Sequence, residues 1–176
     1  MVRPYQKPNI NPDMGVSVYD PETMANILKV QGKRKLFIIG AESLTWELDG
    51  KKVIDYYIDI AKKLNVPVVA TGHSYKELAE KLGKDKVTMM SLENITQRLS
   101  DPDWKGLDGQ GQYNLAIFGG HIVYYVSQAM SNLKNFALNL RTINLDKYAH
   151  PNARFSLANL SDAEWKEFLD KLLINL

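Results

Sequence analysis

The chain has 176 residues, 45% apolar and 24% charged side chains and a formal net charge of +2. At roughly 150 residues per domain this is one domain with a real core, and the composition excludes a disordered or collagen-like chain. Both charge signs are interspersed and Lys33-Arg34-Lys35 is the longest basic run, so no nucleic-acid footprint is present. Without cysteine there are no disulfides, no thiolate nucleophile and no Fe–S cluster held by this chain. His73, His121 and His150 lie too far apart for a local metal-ligand spacing, and no metal site is expected. The N-terminal residues lack an apolar signal region and no apolar run approaches a membrane span, which leads to the expectation of a soluble, cytoplasmic protein.

Residues 1–20 carry Pro4, Pro8 and Pro12 among Asn, Asp and Gly, which predicts an extended arm ahead of a single domain over 21–176. Asp20-Pro21-Glu22 announces the first helix with a capping side chain, a proline and a favourable charge, and Met24, Ile27 and Leu28 form its stripe. The apolar run from Leu36 to Gly40 reads as a first strand buried on both faces. From Glu47 to Leu64 the positions Val53, Ile54, Tyr57, Ile58, Ala61 and Leu64 recur at helical spacing, predicting an amphipathic helix. Val68-Val69-Ala70 is a second strand leaving through Thr71-Gly72, which completes a βαβ unit. A helix with Tyr75, Leu78, Ala79 and Leu82, a third strand over Val87 to Met90 and a helix with Leu92, Ile95 and Leu99 follow.

Asp101 to Gly111 is rich in glycine and turn formers and predicts a long crossover loop between two halves. A fourth strand over Tyr113 to Phe118 stops at Gly119-Gly120, and Ile122, Val126, Ala129, Met130 and Leu133 make the next helix. Leu140 to Leu145 and Ala153 to Leu157 are a fifth and a sixth strand. Ser161 and Glu164 then have capping-box spacing before a terminal helix. Alternating strands and helices predict an α/β fold, a parallel sheet with helices on both faces.

Ligands of such a sheet lie beyond the carboxyl ends of the strands, where the strand order reverses. Here that means Gly40-Ala41-Glu42-Ser43 and Gly119-Gly120-His121, with Thr71-Gly72-His73 as neighbours. Gly40, Thr71, Gly72, Gly119, Gly120 and His121 are the candidate cofactor-binding residues, since glycine lets a phosphate approach the backbone. Neither GxGxxG nor GxxxxGK[ST] is present, and glycines at strand ends more often simply close a strand. His73 and His121 fall at neighbouring strand ends, where they could act as acid and base or grip a phosphate, or be ordinary hydrogen-bonded histidines. Ser43 and Ser74 lack a nucleophile elbow, and Asp101, Asp103 and Asp108 lack calcium-loop spacing. Tyr124 and Tyr125 could stack on a flat ring. No catalytic constellation stands out.

Leu36 to Gly40, Asn65 to Gly72, DPDWKGLDGQGQYNLAIFGG from Asp101 to Gly120, and SQAMSNLKNF from Ser127 to Phe136 together resemble the epsilon-subunit family of archaeal acetyl-CoA decarbonylase/synthase complexes. Trp104 with Gly106-Leu107-Asp108-Gly109, Gly111 and Tyr113 is the most specific piece. The resemblance implies a three-layer Rossmann-like sheet of about six strands, similar to NAD/FAD-binding segments. It implies an accessory, non-catalytic role in one-carbon metabolism and methanogenesis, beside the Ni–Fe–S alpha subunit of the carbon monoxide dehydrogenase component. It further implies a hetero-oligomer with two copies of each chain. Gly40, Thr71, Gly72 and Gly120 match the family pattern, whereas Gly119 and His121 rest on the reading of the residues alone. The alternative is an electron-transfer protein binding FAD or NAD through the strand-end glycine loops.

Overall fold

The strands β2 (Lys35–Ile39) and β7 (Leu115–Gly119) lie side by side at the centre of a seven-stranded sheet in the computed structural model, which describes residues 15–176. Outward from β2 come β5 (Val68–Ala70) and β6 (Val87–Met89), and outward from β7 come β8 (Arg141–Asn144), β9 (Phe155–Leu157) and β1 (Val16–Val18). Every pairing is parallel. The order reverses between β2 and β7, as in a doubly wound nucleotide-binding fold. The strand beyond the expected six is β1, which pairs Val16 with Phe155 and Val18 with Leu157 at the sheet edge. Residues 1–14 of the expected arm lie outside the described residues.

The helices are α1 (Pro21–Val30), α2 (Val53–Leu64), α3 (Tyr75–Leu82), α4 (Leu92–Ser100), α5 (Val123–Phe136) and α6 (Asp162–Asn175). The starts of α1 and α6 follow the sequence signals. The Asp20 carboxylate accepts the Thr23 N–H at 2.8 Å with Pro21 in the first turn, and Ser161 with Glu164 closes a full capping box on α6. One expectation is corrected: no helix begins at Glu47. The strands β3 (Glu47–Leu48) and β4 (Lys51–Lys52) form an antiparallel hairpin turned by Asp49 and Gly50, both at positive φ, and α2 starts only at Val53.

Side-chain alternation divides the core into two layers. Phe37, Ile39, Leu115 and Ile117 face α1, α2 and α6, while Leu36, Ile38, Ala116 and Phe118 face α4 and α5. Both faces of the central strands are thereby dry, which is why they read as unbroken apolar runs. The Trp165 indole on α6 donates to the Leu145 carbonyl at 3.0 Å and stacks edge-on against Trp46, tying the terminal helix to the exit of β8. The 101–114 crossover is pinned by Arg34, whose guanidinium pairs with Asp108 and lies over the Tyr113 ring. No described helix is long and apolar enough to cross a membrane.

Candidate functional site

The reversal point brings together the exits of β2, β5 and β7 and leaves a cavity of about 280 Å³ lined by Ala41, Glu42, Thr71, Gly72, Leu92, Gly120, His121 and Tyr125 among others. Four of the six residues expected from sequence, Thr71, Gly72, Gly120 and His121, therefore border one space. Gly40 and Gly119 lie beneath it, within the packing of the exits.

At each of these deeper glycines the space that a Cβ would fill holds protein. A Cβ on Gly40 would sit 2.0 Å from the Gly120 carbonyl oxygen, and one on Gly119 would lie 2.7 Å from the Tyr57 ring. One on Gly120, which has φ +77, would meet the Ser43 Cβ at 2.6 Å. The two exits are stitched directly, Gly40 N–H to Gly119 O at 2.9 Å and Glu42 N–H to Gly120 O at 3.0 Å. Gly72 is different: at φ +63 its nearest neighbour would be the Ala41 Cβ at 3.5 Å.

Gly119 leaves room for the Tyr57 ring, and the Tyr57 hydroxyl reaches past it to donate to Asp146 Oδ1 at 2.6 Å. The same oxygen accepts the Gly120 N–H at 2.7 Å, and Asn144 Nδ2 donates to Oδ2 at 3.4 Å. The Asn144 side chain in turn accepts the Asp146 N–H at 2.7 Å. A carboxylate of the protein thus sits where the backbone of the β7 exit could otherwise receive an anion. Sequence reasoning passed over both partners: Tyr57 read as one more apolar position of a helix stripe, and Asp146 follows a strand without any motif. The available signal was an acid at the carboxyl end of the strand beside β7.

His121 is buried, and its Nε2 lies 3.2 Å from the Thr71 hydroxyl, while its Nδ1 has no hydrogen-bond partner among the described residues. His73 is exposed, so the sheet pairs His121 with Thr71 and leaves His73 at the surface. The buried Ser43 and Ser74 hydroxyls donate to backbone carbonyls, those of Gly40 and of Ile39 and Thr71. Asp101 and Asp108 accept N–H groups of their own turns, which matches a turn reading rather than a calcium loop. Tyr124 is exposed, whereas Tyr125 lines the cavity and donates to Glu93. Among the described residues no cluster of three or more His, Cys, Asp or Glu could hold a metal.

Burial dominates the titration of these groups. It holds His121 at about 3, with nearby His150 adding to the effect, and holds His150 at about 4. It pushes Asp146 up to about 6 against the opposing hydrogen bonds from Tyr57, Gly120 and Asn144. The stability tied to the two histidines is complete above their ordinary 6.5 and is lost as pH falls toward 4 and 3. Asp146 works in the opposite direction: its cost is absent below about pH 4 and grows as pH rises through about 6. Two histidines outweigh one aspartate, so the melting temperature is expected to fall between pH 6.5 and 4. Calorimetry should show a flatter profile in His121→Asn; an unchanged slope would contradict this assignment.

The chain matches, over residues 2–173, the family described as CO dehydrogenase beta subunit/acetyl-CoA synthase epsilon subunit. It is 36% identical over 152 residues to the acetyl-CoA decarbonylase/synthase complex subunit epsilon of Methanothermobacter thermautotrophicus, covering 86% of this chain and 83% of that one. It is 36% identical over 158 residues to subunit epsilon 1 of Archaeoglobus fulgidus, covering 89% and 82%. Against the epsilon subunit of Methanothrix soehngenii it is 35% identical over 150 residues, covering 85% and 76%. The chain belongs to this epsilon-subunit family.

The Rossmann-like fold of this epsilon-family chain raises the question of a dinucleotide such as FAD or NAD. In that role the first strand turns through glycines straight into a helix whose N-terminus meets the pyrophosphate. Here β2 leads through the turn Ala41–Leu44 into the β3–β4 hairpin, so α2 begins after the hairpin. The N–H groups of Gly40, Glu42 and Gly120 are already engaged, and Glu42 lines the cavity. These residues do not fit a dinucleotide pyrophosphate.

Proposed function

We propose that this chain is an accessory, non-catalytic subunit of an acetyl-CoA decarbonylase/synthase complex. It associates with the Ni–Fe–S alpha subunit in the carbon monoxide dehydrogenase component, two copies of each chain together, and stabilises it. The observation that carries this reading is a near full-length family match in a chain with no cysteine. Ni–Fe–S chemistry needs thiolate ligands that such a chain does not own, so the reactive centre belongs to a partner. The engaged glycine exits support a packing role for the reversal point rather than a redox one.

The test is affinity purification of the tagged full chain from its native host under anaerobic conditions. The expected result is co-elution of a nickel- and iron-containing partner in equal copy number. Elution of the tagged chain without a metal-bearing partner would overturn the reading.

A further inference from the structure

The cavity at the reversal point continues into a second one of about 210 Å³ in the groove between α4 and α5, the two meeting at Leu92 and Tyr125. The walls are mainly apolar, and among the described residues the only Asp, Glu, Lys or Arg side chains lining either cavity are Glu42 and Glu93. The one imidazole there, His121, is buried and uncharged at neutral pH. Ile122 lines the first cavity and is partly exposed, and it is followed at the start of α5 by Val123, also partly exposed, and Tyr124, 69% exposed. Met89, 64% exposed at the end of β6, lies on the same edge of the sheet. Single exposed apolar residues are ordinary, but a run of them that begins at the wall of an apolar cavity marks an interaction site.

The opposite end of the molecule has the contrary charge. Two exposed apolar residues there, Phe136 and Leu138, border cavities lined by Arg98, Lys134, Arg141 and Arg154. The two ends of the sheet therefore select partners of different chemistry, although the chain as a whole is nearly neutral.

We infer that the α4–α5 groove, together with the exposed Ile122, Val123 and Tyr124 leading into α5, is the surface on which the partner subunit docks. The docking segment carries an apolar or aromatic side chain that enters the cavity and a lysine or arginine that meets Glu42 and Glu93. This rests on the subunit reading above and assigns it a surface. Apolar burial at the centre of the groove supplies most of the affinity, and the carboxylates supply orientation and partner choice.

The experiment measures binding of the purified Ni–Fe–S alpha subunit to the full chain by anaerobic interferometry at two salt concentrations. Tyr124→Ala is expected to weaken binding about tenfold or more. Glu93→Gln, which keeps an acceptor for the Tyr125 hydroxyl, should weaken it several-fold and reduce its salt dependence. Leu138→Ala should leave binding unchanged. Tyr124 and Leu138 are both exposed, so far-UV circular dichroism and melting should not move in those variants. Binding of Tyr124→Ala and Glu93→Gln at the unaltered affinity, or loss in Leu138→Ala alone, overturns the surface while leaving the subunit reading intact. Absence of binding by the unaltered chain overturns the subunit reading itself.

Discussion

Replacing Asp146 by alanine is expected to remove about 3 kcal/mol or more of folding stability, read as a lower denaturation midpoint in urea. The loss comes from groups left behind. The Tyr57 hydroxyl and the Gly120 N–H both donate to Asp146 Oδ1, and both belong to buried residues. An unsatisfied buried donor costs about 1–3 kcal/mol. Asp146→Asn keeps one acceptor oxygen for these two donors and removes the charge whose burial raises the carboxyl to about 6. Asparagine should therefore recover most of the loss, and should compare better with the unaltered protein at pH 7 than at pH 4. Equal destabilisation by alanine and asparagine at both pH values would contradict a role through the carboxylate's acceptors.

Gly40→Ala is expected to cost about 4 kcal/mol or more or to prevent folding. The conformation is not the cause, because Gly40 has φ −91 and ψ 166, which any residue adopts. The cause is contact: the new Cβ would lie 2.0 Å from the Gly120 oxygen and 2.7 Å from His121 Cδ2. Relief requires separating the β2 and β7 exits and breaking the Gly40 N–H bond to Gly119 O. Gly72→Ala is the contrast. It carries a positive φ but ordinary van der Waals distances, so its cost should be confined to the left-handed backbone, about 1–2 kcal/mol. Chemical denaturation of the two variants side by side checks the order, and a larger loss at Gly72 than at Gly40 would refute it.

These two positions also show what the amino-acid sequence discloses. The apolar runs of β2, β5 and β7 announce a two-sided sheet because no solvent face interrupts them, and glycine at their ends marks the point where strand order reverses. What lies in the glycines' missing space cannot be read locally. The Tyr57 ring and the Asp146 carboxylate reach the β7 exit from 62 and 27 residues away in the chain, counting from Gly119. The β3–β4 hairpin did carry a local signal, Asp49-Gly50, but the strands it joins are two residues each and run straight into the periodic pattern of α2. Strand β1 is three residues long, and only its register against β9 distinguishes it from an extended arm. Among the candidate site residues, His121 was legible as a residue at the reversal point. Its pairing with Thr71 instead of His73 depends on side-chain direction, which strand order alone does not set.

An epsilon-family chain without thiolates should owe any carbon monoxide chemistry to its neighbour. The most direct measurement is carbon monoxide-dependent reduction of a viologen dye by the purified chain alone, after incubation with nickel and iron, beside the same assay on the assembled complex. The account predicts a rate for the isolated chain indistinguishable from buffer, with all turnover following the metal-bearing partner. Turnover by the isolated chain at a rate comparable to the complex would contradict it.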